Sequence, residues 1–356
     1  MRNFFLSILL TVCVALTGCM SWDYGEPEHF DASAHGLFIV NEGNYQYGNA
    51  TLSYYDPEAD TVSNEVFYRA NAMKLGDVAQ SMTIGNGLGW VVVNHSNVVF
   101  AIDLTTFREV GRITGLASPR YMTFVDATKA YVTQLWDNRI AIVDPTTYAI
   151  TGHIEIEGMS SVSGSTEQMV RIGRYIYVNC WSYQRRILKI DTDTDEVVAS
   201  LEVGYQPNSI VADSYGRLWA LCDGSDGSGN VDAERPALYR IDPATMTVEA
   251  TFPFYEDESP SELTINAEGN RLYWLNDDVW AMDVAATRLP LRPVVRSRGT
   301  IYYGLTVDPE SEDIYVADAV DYQQAGRIYR FDRDGNPITS FKVGITPGSF
   351  CWKTNQ

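Results

Sequence analysis

The sequence predicts an all-β fold built from seven repeated units, and three observations lead to this prediction. A hydrophobic residue followed by Asp recurs seven times at similar spacing along the chain. Short runs rich in β-branched and aromatic residues surround each recurrence, and no segment shows a sustained helical period. The first unit lacks its innermost strand, and an apolar run at the C-terminus can supply it. Together these features predict a seven-bladed β-propeller whose ring is closed by the C-terminal strand, which completes blade one.

The recurring phrase is a strand that ends in a hydrophobic residue and Asp, followed by a turn and another strand. Its aspartates are separated by 47, 41, 47, 51, 41 and 49 residues. An Asp at the first position of a turn accepts hydrogen bonds from the turn backbone, and a following Pro presets φ. We therefore predict that these aspartates are structural rather than catalytic. They are Asp56, Asp103, Asp144, Asp191, Asp242, Asp283 and Asp332.

Each unit also contains apolar strands before the Asp turn, as residues 121–124 and 130–133 illustrate in the third unit. With the two strands around the turn, they give four short strands per blade. The first unit begins at Gly36, and we expect residues 348–352 to form its inner strand. Such closure removes the exposed edges that an open array of sheets would leave.

The N-terminus has the features of a secretory signal and is excluded from the fold. Arg2 supplies a positive charge, residues 4–16 form an apolar run, and Leu16-Thr17-Gly18-Cys19 completes a lipoprotein signature. The alternative is an ordinary secretory signal with a chance Cys. The predicted division of the chain is a lipoprotein signal peptide (1–18), a tether lipidated at Cys19 (19–34) and the propeller (35–356).

Composition excludes two classes of partner. The chain carries 46 acidic and 26 basic residues, which gives a formal net charge of −20. Phosphates of nucleic acids and anionic lipid headgroups both demand clustered Lys and Arg. We therefore expect no nucleic-acid partner and no membrane contact other than the lipid anchor.

Three cysteines remain in the predicted mature chain beyond the lipidated one, and an odd number does not make a disulfide scaffold. They are Cys180, Cys222 and Cys351, and each lies in or at the end of an apolar strand. We expect them to pack as small hydrophobic residues, with their pairing left open.

One face of a propeller disc is formed by loops within blades and by loops that join blades. The predicted loops within blades are 42–49, 95–97, 136–138, 181–185, 223–235, 276–278 and 318–326. The predicted joining loops are 68–80, 114–120, 157–167, 204–208, 253–260, 296–302 and 344–348.

These loops carry large amphipathic side chains where turns usually have small ones. Aromatic rings give contact area at low entropic cost, and Gln and Arg supply hydrogen-bond donors. The alternative is that the rings pack the loops onto the disc. The predicted ligand-binding residues are Tyr45, Gln46, Tyr47, Tyr68, Gln80, Arg120, Trp136, Trp181, Tyr183, Arg185, Tyr205, Tyr302 and Tyr322.

Motifs for catalysis are scarce, so we expect a binding protein rather than an enzyme, with no metal and no cofactor. The chain has 4 histidines, no metal-ligand spacing, no nucleophile elbow and no phosphate loop. Residues 223–232 have some features of a calcium loop but lack its closing Glu, which favours a solvated loop and leaves calcium open. An enzyme of the lactonase or lyase type is the alternative, with Glu167, Asn208 and Glu262 holding a cation.

The first blade contains Asn41-Glu42-Gly43-Asn44, then Gly48-Asn49-Ala50-Thr51-Leu52-Ser53, Phe67, Ala70-Asn71 and the run from Leu75 to Met82. With the lipoprotein signature, it resembles the surface-exposed propeller lipoproteins that capture cobalamin for gut Gram-negative bacteria. The resemblance runs the length of the mature chain. It implies a lipid-anchored protein on the outer-membrane surface. It also implies cobalamin or a related corrinoid as ligand, and a TonB-dependent outer-membrane cobalamin transporter as partner.

A corrin is a broad ring edged with amides, and it fits a wide face lined with Tyr, Trp, Gln and Asn. His95 is the one histidine in the predicted face loops, which argues against coordination of the cobalt by the protein. Aromatic loops also suit sugars, so a glycan-binding or protein-binding lipoprotein is the remaining alternative.

Overall fold

The computed structural model describes residues 26–159, 165–228 and 231–354. The strands within these ranges form seven antiparallel sheets that follow one another along the chain. The inner strand of each sheet contacts the inner strands of its two neighbours, and the last sheet contacts the first. The molecule is therefore a seven-bladed β-propeller, as predicted. The predicted signal peptide (1–18) and lipidation site (Cys19) lie outside the described residues.

The first four blades have four strands each, and the C-terminal end of the chain supplies the inner strand of blade one. Blade one contains β1 (Gly36–Asn41), β2 (Thr51–Asp56) and β3 (Thr61–Ser63), and blade two contains β4 (Ala79–Gly85), β5 (Leu88–Val93), β6 (Val98–Asp103) and β7 (Glu109–Thr114). Blade three contains β8 (Pro119–Phe124), β9 (Ala130–Gln134), β10 (Arg139–Asp144) and β11 (Ala149–Glu155). Blade four contains β12 (Ser165–Ile172), β13 (Tyr175–Trp181), β14 (Arg186–Asp191) and β15 (Glu196–Glu202).

The remaining blades follow the same order. Blade five contains β16 (Pro207–Ala212), β17 (Leu218–Cys222), β18 (Ala237–Asp242) and β19 (Thr247–Pro253). Blade six contains β20 (Ser261–Ile265), β21 (Arg271–Asn276) and β22 (Asp278–Asp283), and blade seven contains β23 (Tyr302–Val307), β24 (Ile314–Asp318), β25 (Ala325–Phe331) and β26 (Pro337–Ile345). The last strand, β27 (Pro347–Lys353), returns to blade one.

Burial changes from the centre of the disc to its rim, and the sequence of each strand follows this change. The second strand of blade three, β9, is buried along its whole length, because neighbouring blades cover both of its faces. The outer strand β15 alternates between exposed and half-buried residues, because water covers one of its faces. Seven apolar clusters lie between adjacent blades, and the largest fully buried side chains in them include Trp90, Trp219 and Trp274.

The seven repeated aspartates are structural, as predicted. Each carboxylate accepts a hydrogen bond from the backbone N–H two residues further on, at 2.6 to 3.0 Å. In Asp103 the backbone and hydroxyl of Thr106 also donate, and these hydrogen bonds lower the pKa of its carboxyl. These aspartates therefore serve the turns and are not free for chemistry.

The C-terminal strand closes the ring, which confirms the prediction for blade one. The strand β27 pairs antiparallel with β1 along most of its length. Trp352 stacks on His35 with ring centroids 5.2 Å apart and packs edge-on against Tyr315 of blade seven. Its indole N–H donates to Thr306 Oγ1 at 3.1 Å. One strand thus joins the first and last blades.

Blade six departs from the expected four strands, because it has only three, all within described residues. The segment where an outer strand would lie contains Pro290 and Pro293, which cannot donate backbone hydrogen bonds to a ladder. A single bridge between Val279 and Val295 is what remains of the pairing.

A short helix, α1 (Val66–Asn71), lies where the sequence analysis placed the start of a joining loop. Its residues Val66, Phe67 and Ala70 are buried against blades one and two. The prediction of a loop over residues 68–80 is therefore wrong for its first four residues. A six-residue segment has only a weak helical signal in its sequence, and packing against the two blades is what stabilises this helix.

The described part of the predicted tether lies on the disc without regular secondary structure. Glu28 N–H donates to Arg69 O at 2.8 Å, and Phe30 packs on Phe107 with centroids 5.0 Å apart. The chain therefore reaches the disc at the rim between blades one and two. Within the described residues, no helix is long and apolar enough to span a membrane.

Candidate functional site

Every inner strand is irregular near its first residue, because the ladder shifts register there in all seven blades. Such β-bulges insert residues that make no ladder pair, and they redirect side chains. The inserted residues are Gln80, Arg120, Tyr121, Glu167, Gln168, Asn208, Glu262, Leu263, Tyr303 and Gly348.

The inserted residues, Leu263 excepted, line one cavity of about 440 Å³ at the centre of the disc. All seven blades contribute to it, so no single blade forms the site. Other residues of the inner strands, and residues in or next to the second strands of the blades, complete the lining, and they are Glu42, Trp181, Asp223, Ser261, Tyr302, Tyr322 and Ser349. We call this space the central cavity, and the side of the disc on which it opens the cavity face.

Arg120 and Glu167 form a buried ion pair in the wall of the central cavity. The Arg120 Nε donates to both Glu167 carboxylate oxygens, at 3.0 and 2.8 Å, and another guanidinium nitrogen donates to Gln80. Ser165 Oγ also donates to Glu167 at 2.9 Å. The Glu167 side chain is only 4% exposed, so the arginine compensates a charge that water cannot reach.

Glu42 lies across the cavity beside Tyr303, whose hydroxyl donates to both carboxylate oxygens at 3.2 Å. Burial raises the pKa of Glu42 to about 7, although the hydrogen bond from Tyr303 opposes this shift. Gly348 leaves room for the carboxylate, because a Cβ there would lie 2.3 Å from Glu42 Oε1. A larger residue at 348 would therefore displace Glu42.

The motif around Glu42 explains how this side chain is held. Asn41 Nδ2 donates to Ser53 Oγ at 3.0 Å, and the backbone N–H of Asn44 donates to Asn49 Oδ1 at 2.7 Å. These bonds close the loop between β1 and β2 and fix its first residue, Glu42, over the cavity.

Glu262 is the carboxylate with the least support, since no described residue donates a hydrogen bond to it. Burial and, to a smaller extent, the nearby charge of Glu42 raise its pKa to about 8. The residue has φ of 56°, a left-handed conformation that costs a non-glycine residue about 1–3 kcal/mol. Strain of this kind concentrates at functional sites, where the surrounding structure enforces it.

The remaining wall is held by Asp223. It accepts hydrogen bonds from the Trp181 indole N–H, at 2.9 Å, and from Asn208 Nδ2. Burial raises the pKa of Asp223, although both hydrogen bonds oppose this shift. Asn208 also donates to Pro260 O at 3.1 Å, which ties blades five and six together at the mouth.

Exposed aromatic rings surround the mouth of the central cavity, on loops of the cavity face. Tyr45 packs on His95 with centroids 4.5 Å apart, and Tyr322 packs edge-on against Tyr303 at 5.4 Å. The exposed rings on this face are Tyr45, Tyr47, Tyr68, Trp136, Tyr183, Tyr255 and Tyr322. A ligand wider than the cavity would therefore meet rings on several blades.

The structure sorts the residues predicted to bind ligand into three groups. Those that line the central cavity are Gln80, Arg120, Trp181, Tyr302 and Tyr322. Those exposed on the surrounding loops are Tyr45, Gln46, Tyr47, Tyr68, Trp136 and Tyr183. The last group is Tyr205 and Arg185: the ring is buried beneath the guanidinium, which lies 5.0 Å from its centroid and pairs with Glu234.

The central cavity also has lining residues that were not among those predicted to bind ligand, such as Glu42, Tyr121, Gln168, Asp223 and Tyr303. A signal for the cavity was nevertheless present, because five predicted joining loops end on an inserted residue. Those final residues are Gln80, Arg120, Glu167, Asn208 and Gly348.

The residues proposed for the enzyme alternative, Glu167, Asn208 and Glu262, do line the same cavity. Among the described residues, however, no three His, Cys, Asp or Glu side chains are grouped closely enough to hold a metal ion. The possible calcium loop at 223–232 is only partly covered by the described ranges.

The three cysteines are free thiols. Cys180 and Cys222 are buried, as predicted, and Cys351 is half-buried. Burial raises the pKa of all three thiols, which keeps them protonated and unreactive.

The protein is thus a β-propeller whose seven blades surround a polar central cavity, and concave sites of this kind commonly bind ligands. The chain belongs to the family described as Domain of unknown function (DUF5074), which it matches over residues 35–345. A search of the curated proteins finds no match to the sequence.

Several solved structures share the fold. A quinonprotein alcohol dehydrogenase-like protein from Bacteroides thetaiotaomicron has a TM-score of 0.67 and 15% identity, over 89% of this chain and 78% of that one. The periplasmic gluconolactonase PpgL of Pseudomonas aeruginosa has a TM-score of 0.64 and 14% identity, over 89% and 98% of the two chains. A putative 6-phosphogluconolactonase from Bacteroides uniformis has a TM-score of 0.64 and 12% identity, over 90% and 100%. At these identities the similarity shows the fold alone.

Proposed function

We propose that the protein captures cobalamin or a related corrinoid on its cavity face and acts by binding rather than by catalysis. The observation that carries the proposal is the polar central cavity, built by all seven blades and surrounded by exposed aromatic rings. The family resemblance in blade one supports the choice of ligand, because Glu42 of that motif lines the cavity.

The size of the cavity determines how such a ligand would lie. Pockets that enclose a drug-sized ligand have about 300–1,000 Å³. At about 440 Å³, the cavity is too small to enclose a corrinoid of roughly ninety heavy atoms. At about −0.3 kcal/mol per heavy atom, a ligand of that size could still reach the practical ceiling of affinity. The corrin therefore lies across the mouth, where Trp136 and Tyr183 contact it, while its amide side chains enter the cavity.

Binding does not require a bond between the cobalt and the protein. His95 stands beside Tyr45 on the cavity face and does not line the central cavity. Arg120, through its remaining N–H groups, and Gln168 supply donors for the amide oxygens of the ligand, and the carboxylates supply acceptors for its amide N–H groups.

We also propose that Cys19 carries a lipid anchor and that the disc stands on the outer-membrane surface beside a TonB-dependent cobalamin transporter. The lipoprotein signature at residues 16–19 and the family resemblance support this proposal. The chain meets the disc at its rim, so an anchor at Cys19 leaves the cavity face open to ligand and partner.

Calorimetric titration of the unlipidated mature domain with cyanocobalamin tests the capture proposal, and we expect one-to-one binding at nanomolar Kd or below. The variants Trp136→Ala and Tyr183→Ala should each weaken binding by about 1–2 kcal/mol, roughly tenfold, because each removes a large exposed ring from the binding face. Tyr215→Ala is the matched control, since Tyr215 is an exposed ring in the loop between β16 and β17 on the opposite face. If cyanocobalamin gives no heat and an oligosaccharide of a parallel panel binds, the ligand is a glycan and not a corrinoid.

The proposal of binding without catalysis also predicts that the protein does not hydrolyse sugar lactones. This is worth measuring because the fold is similar to that of a lactonase and because the pKa values of Glu42 and Glu262 are raised. If the protein acts by binding alone, as proposed, the mature domain leaves the rate of δ-gluconolactone hydrolysis at its uncatalysed value. Proton release under weak buffering measures this rate. Acceleration that disappears in Glu42→Gln or Glu262→Gln would establish an enzyme instead.

A further inference from the structure

The central cavity is electrostatically divided. On one side Arg120 is neutralised by Glu167, with which it shares two hydrogen bonds. On the other side Glu42 and Glu262 make no ion-pair contact within the described residues. Glu42 accepts from the hydroxyl of Tyr303, and the charge of Arg120 acts on it only at longer range. The cavity therefore presents two hydrogen-bond acceptors that an incoming group can use.

We propose that Glu42 and Glu262 form an acceptor subsite that selects ligand groups carrying hydrogen-bond donors, either primary amides or ammonium groups, and excludes carboxylates. This inference rests on the proposed function, because the peripheral amides of a corrinoid are the donors that would enter the cavity. Two neighbouring carboxylates accept strongly from N–H groups. A ligand carboxylate at the same place would meet like charge, and Arg120, which already pairs with Glu167, would compensate that charge only in part.

The geometry shows that the acceptor subsite is maintained at a cost to the fold. Glu262 adopts the left-handed conformation at a bulge, and Gly348 is the residue whose missing side chain leaves space for Glu42. A wall built for stability alone would place an apolar or paired side chain at these positions. Positions 42 and 262 instead direct incompletely satisfied carboxylates into a cavity that opens to solvent.

Selection should depend on pH. Burial raises the pKa of Glu42 to about 7, against the opposing effects of Tyr303 and Arg120, and burial together with the charge of Glu42 raises the pKa of Glu262 to about 8. At pH 6 both carboxyls are largely protonated, and at pH 9 both are ionised. The titratable groups that face the cavity are Glu42, Arg120, Tyr121, Glu167, Asp223, Glu262, Tyr302, Tyr303 and Tyr322. Exclusion of a ligand carboxylate should therefore strengthen from pH 6 to pH 9.

The test compares cyanocobalamin with its monocarboxylic acids, in which one peripheral propionamide is hydrolysed, by calorimetry at both pH values. We expect at least one acid isomer to bind about tenfold or more weakly than the parent at pH 9, with a smaller gap at pH 6. The double variant Glu42→Gln and Glu262→Gln should bind both forms with similar affinity. Glu256→Gln is the control, because it removes a charge from the exposed pair with Arg235 outside the cavity. Equal affinity of the parent and every acid isomer for the wild-type protein at pH 9 would overturn the inference.

Absence of cyanocobalamin binding would overturn the proposed function but not the acceptor subsite. A second measurement tests the acceptor subsite in that case. Carboxyl resonances of protein labelled with ¹³C-glutamate are followed against pH, and loss of a resonance in each Gln variant assigns it. We expect 1,3-diaminopropane, a diammonium probe, to lower the titration midpoints of Glu42 and Glu262, because it binds the ionised carboxylates. Malonate, a dianion of similar length, should leave them unchanged. Midpoints that the diamine does not move would then refute the acceptor subsite.

Discussion

Removal of residues 347–356 is expected to abolish cooperative folding of the disc. These residues contain β27, which is the inner strand of blade one, and its loss exposes the edge of β1. It also removes Trp352, which packs between His35 and Tyr315 and joins blade one to blade seven. We expect the near-ultraviolet circular dichroism to collapse and the truncated chain to aggregate, since the deletion leaves β1 unpaired and uncovers part of the apolar cluster between blades one and seven.

Two controls separate loss of closure from shortening of the chain. Removal of residues 354–356 takes away only the chain beyond β27 and should leave the thermal transition unchanged. A synthetic peptide covering residues 347–353, added in excess to the longer truncation, should restore part of the native signal by pairing with β1. A single sharp native-like transition in the 347–356 deletion would contradict closure by this strand.

Arg120→Ala is expected to lower the free energy of unfolding by about 3–5 kcal/mol, because it leaves the buried Glu167 carboxylate without its cation. Chemical denaturation at neutral pH measures this loss. The double variant Arg120→Ala with Glu167→Gln should recover much of it, since a neutral amide is far easier to bury than an unpaired charge.

Arg235→Ala is the matched control for this experiment. Arg235 and Glu256 form an ion pair of comparable length, 3.0 Å, but both side chains are largely exposed. Removal of such a pair changes stability by about 1 kcal/mol or less. If Arg120→Ala and Arg235→Ala had equal effects, the burial assigned to the Arg120–Glu167 pair would be incorrect.

The fold was predictable because its signals are local and repeated. A turn aspartate such as Asp103 accepts hydrogen bonds from residues two and three positions away, so its role is visible in a short stretch of sequence. Seven repetitions of that stretch determine the number of blades. The missing inner strand of the first unit identified β27 as the closing strand.

The outer edge of blade six and the helix α1 were missed for opposite reasons. Pro290 and Pro293 were visible in the sequence, but repetition of the other blades outweighed them in the prediction. The helix is six residues long, and its apolar residues are buried by blades on both sides rather than by a periodic face of their own.

The site was less predictable, because its contacts connect residues that are distant in sequence. Arg120 pairs with Glu167, 47 residues away, and Tyr303 donates to Glu42, 261 residues away. Tyr205 shows the converse, since residue type suggested an exposed ring and the Arg185 guanidinium covers it. Only the closed ring brings the inner strands together, so carboxylates without a local motif become neighbours.

The bulge shared by all inner strands bears on how such discs diversify during evolution. Residues on either side of each insertion maintain the ladder, whereas the inserted side chain makes no ladder pair. Mutation at an inserted position can thus alter ligand preference while leaving the blade intact, and inserted positions from all seven blades converge on one cavity. Some inserted residues are exceptions: Arg120 and Glu167 compensate each other's buried charge and can change only as a pair, and Gly348 cannot enlarge without displacing Glu42. A propeller of this type therefore separates the scaffold that its ladders maintain from a small set of side chains that face the central cavity.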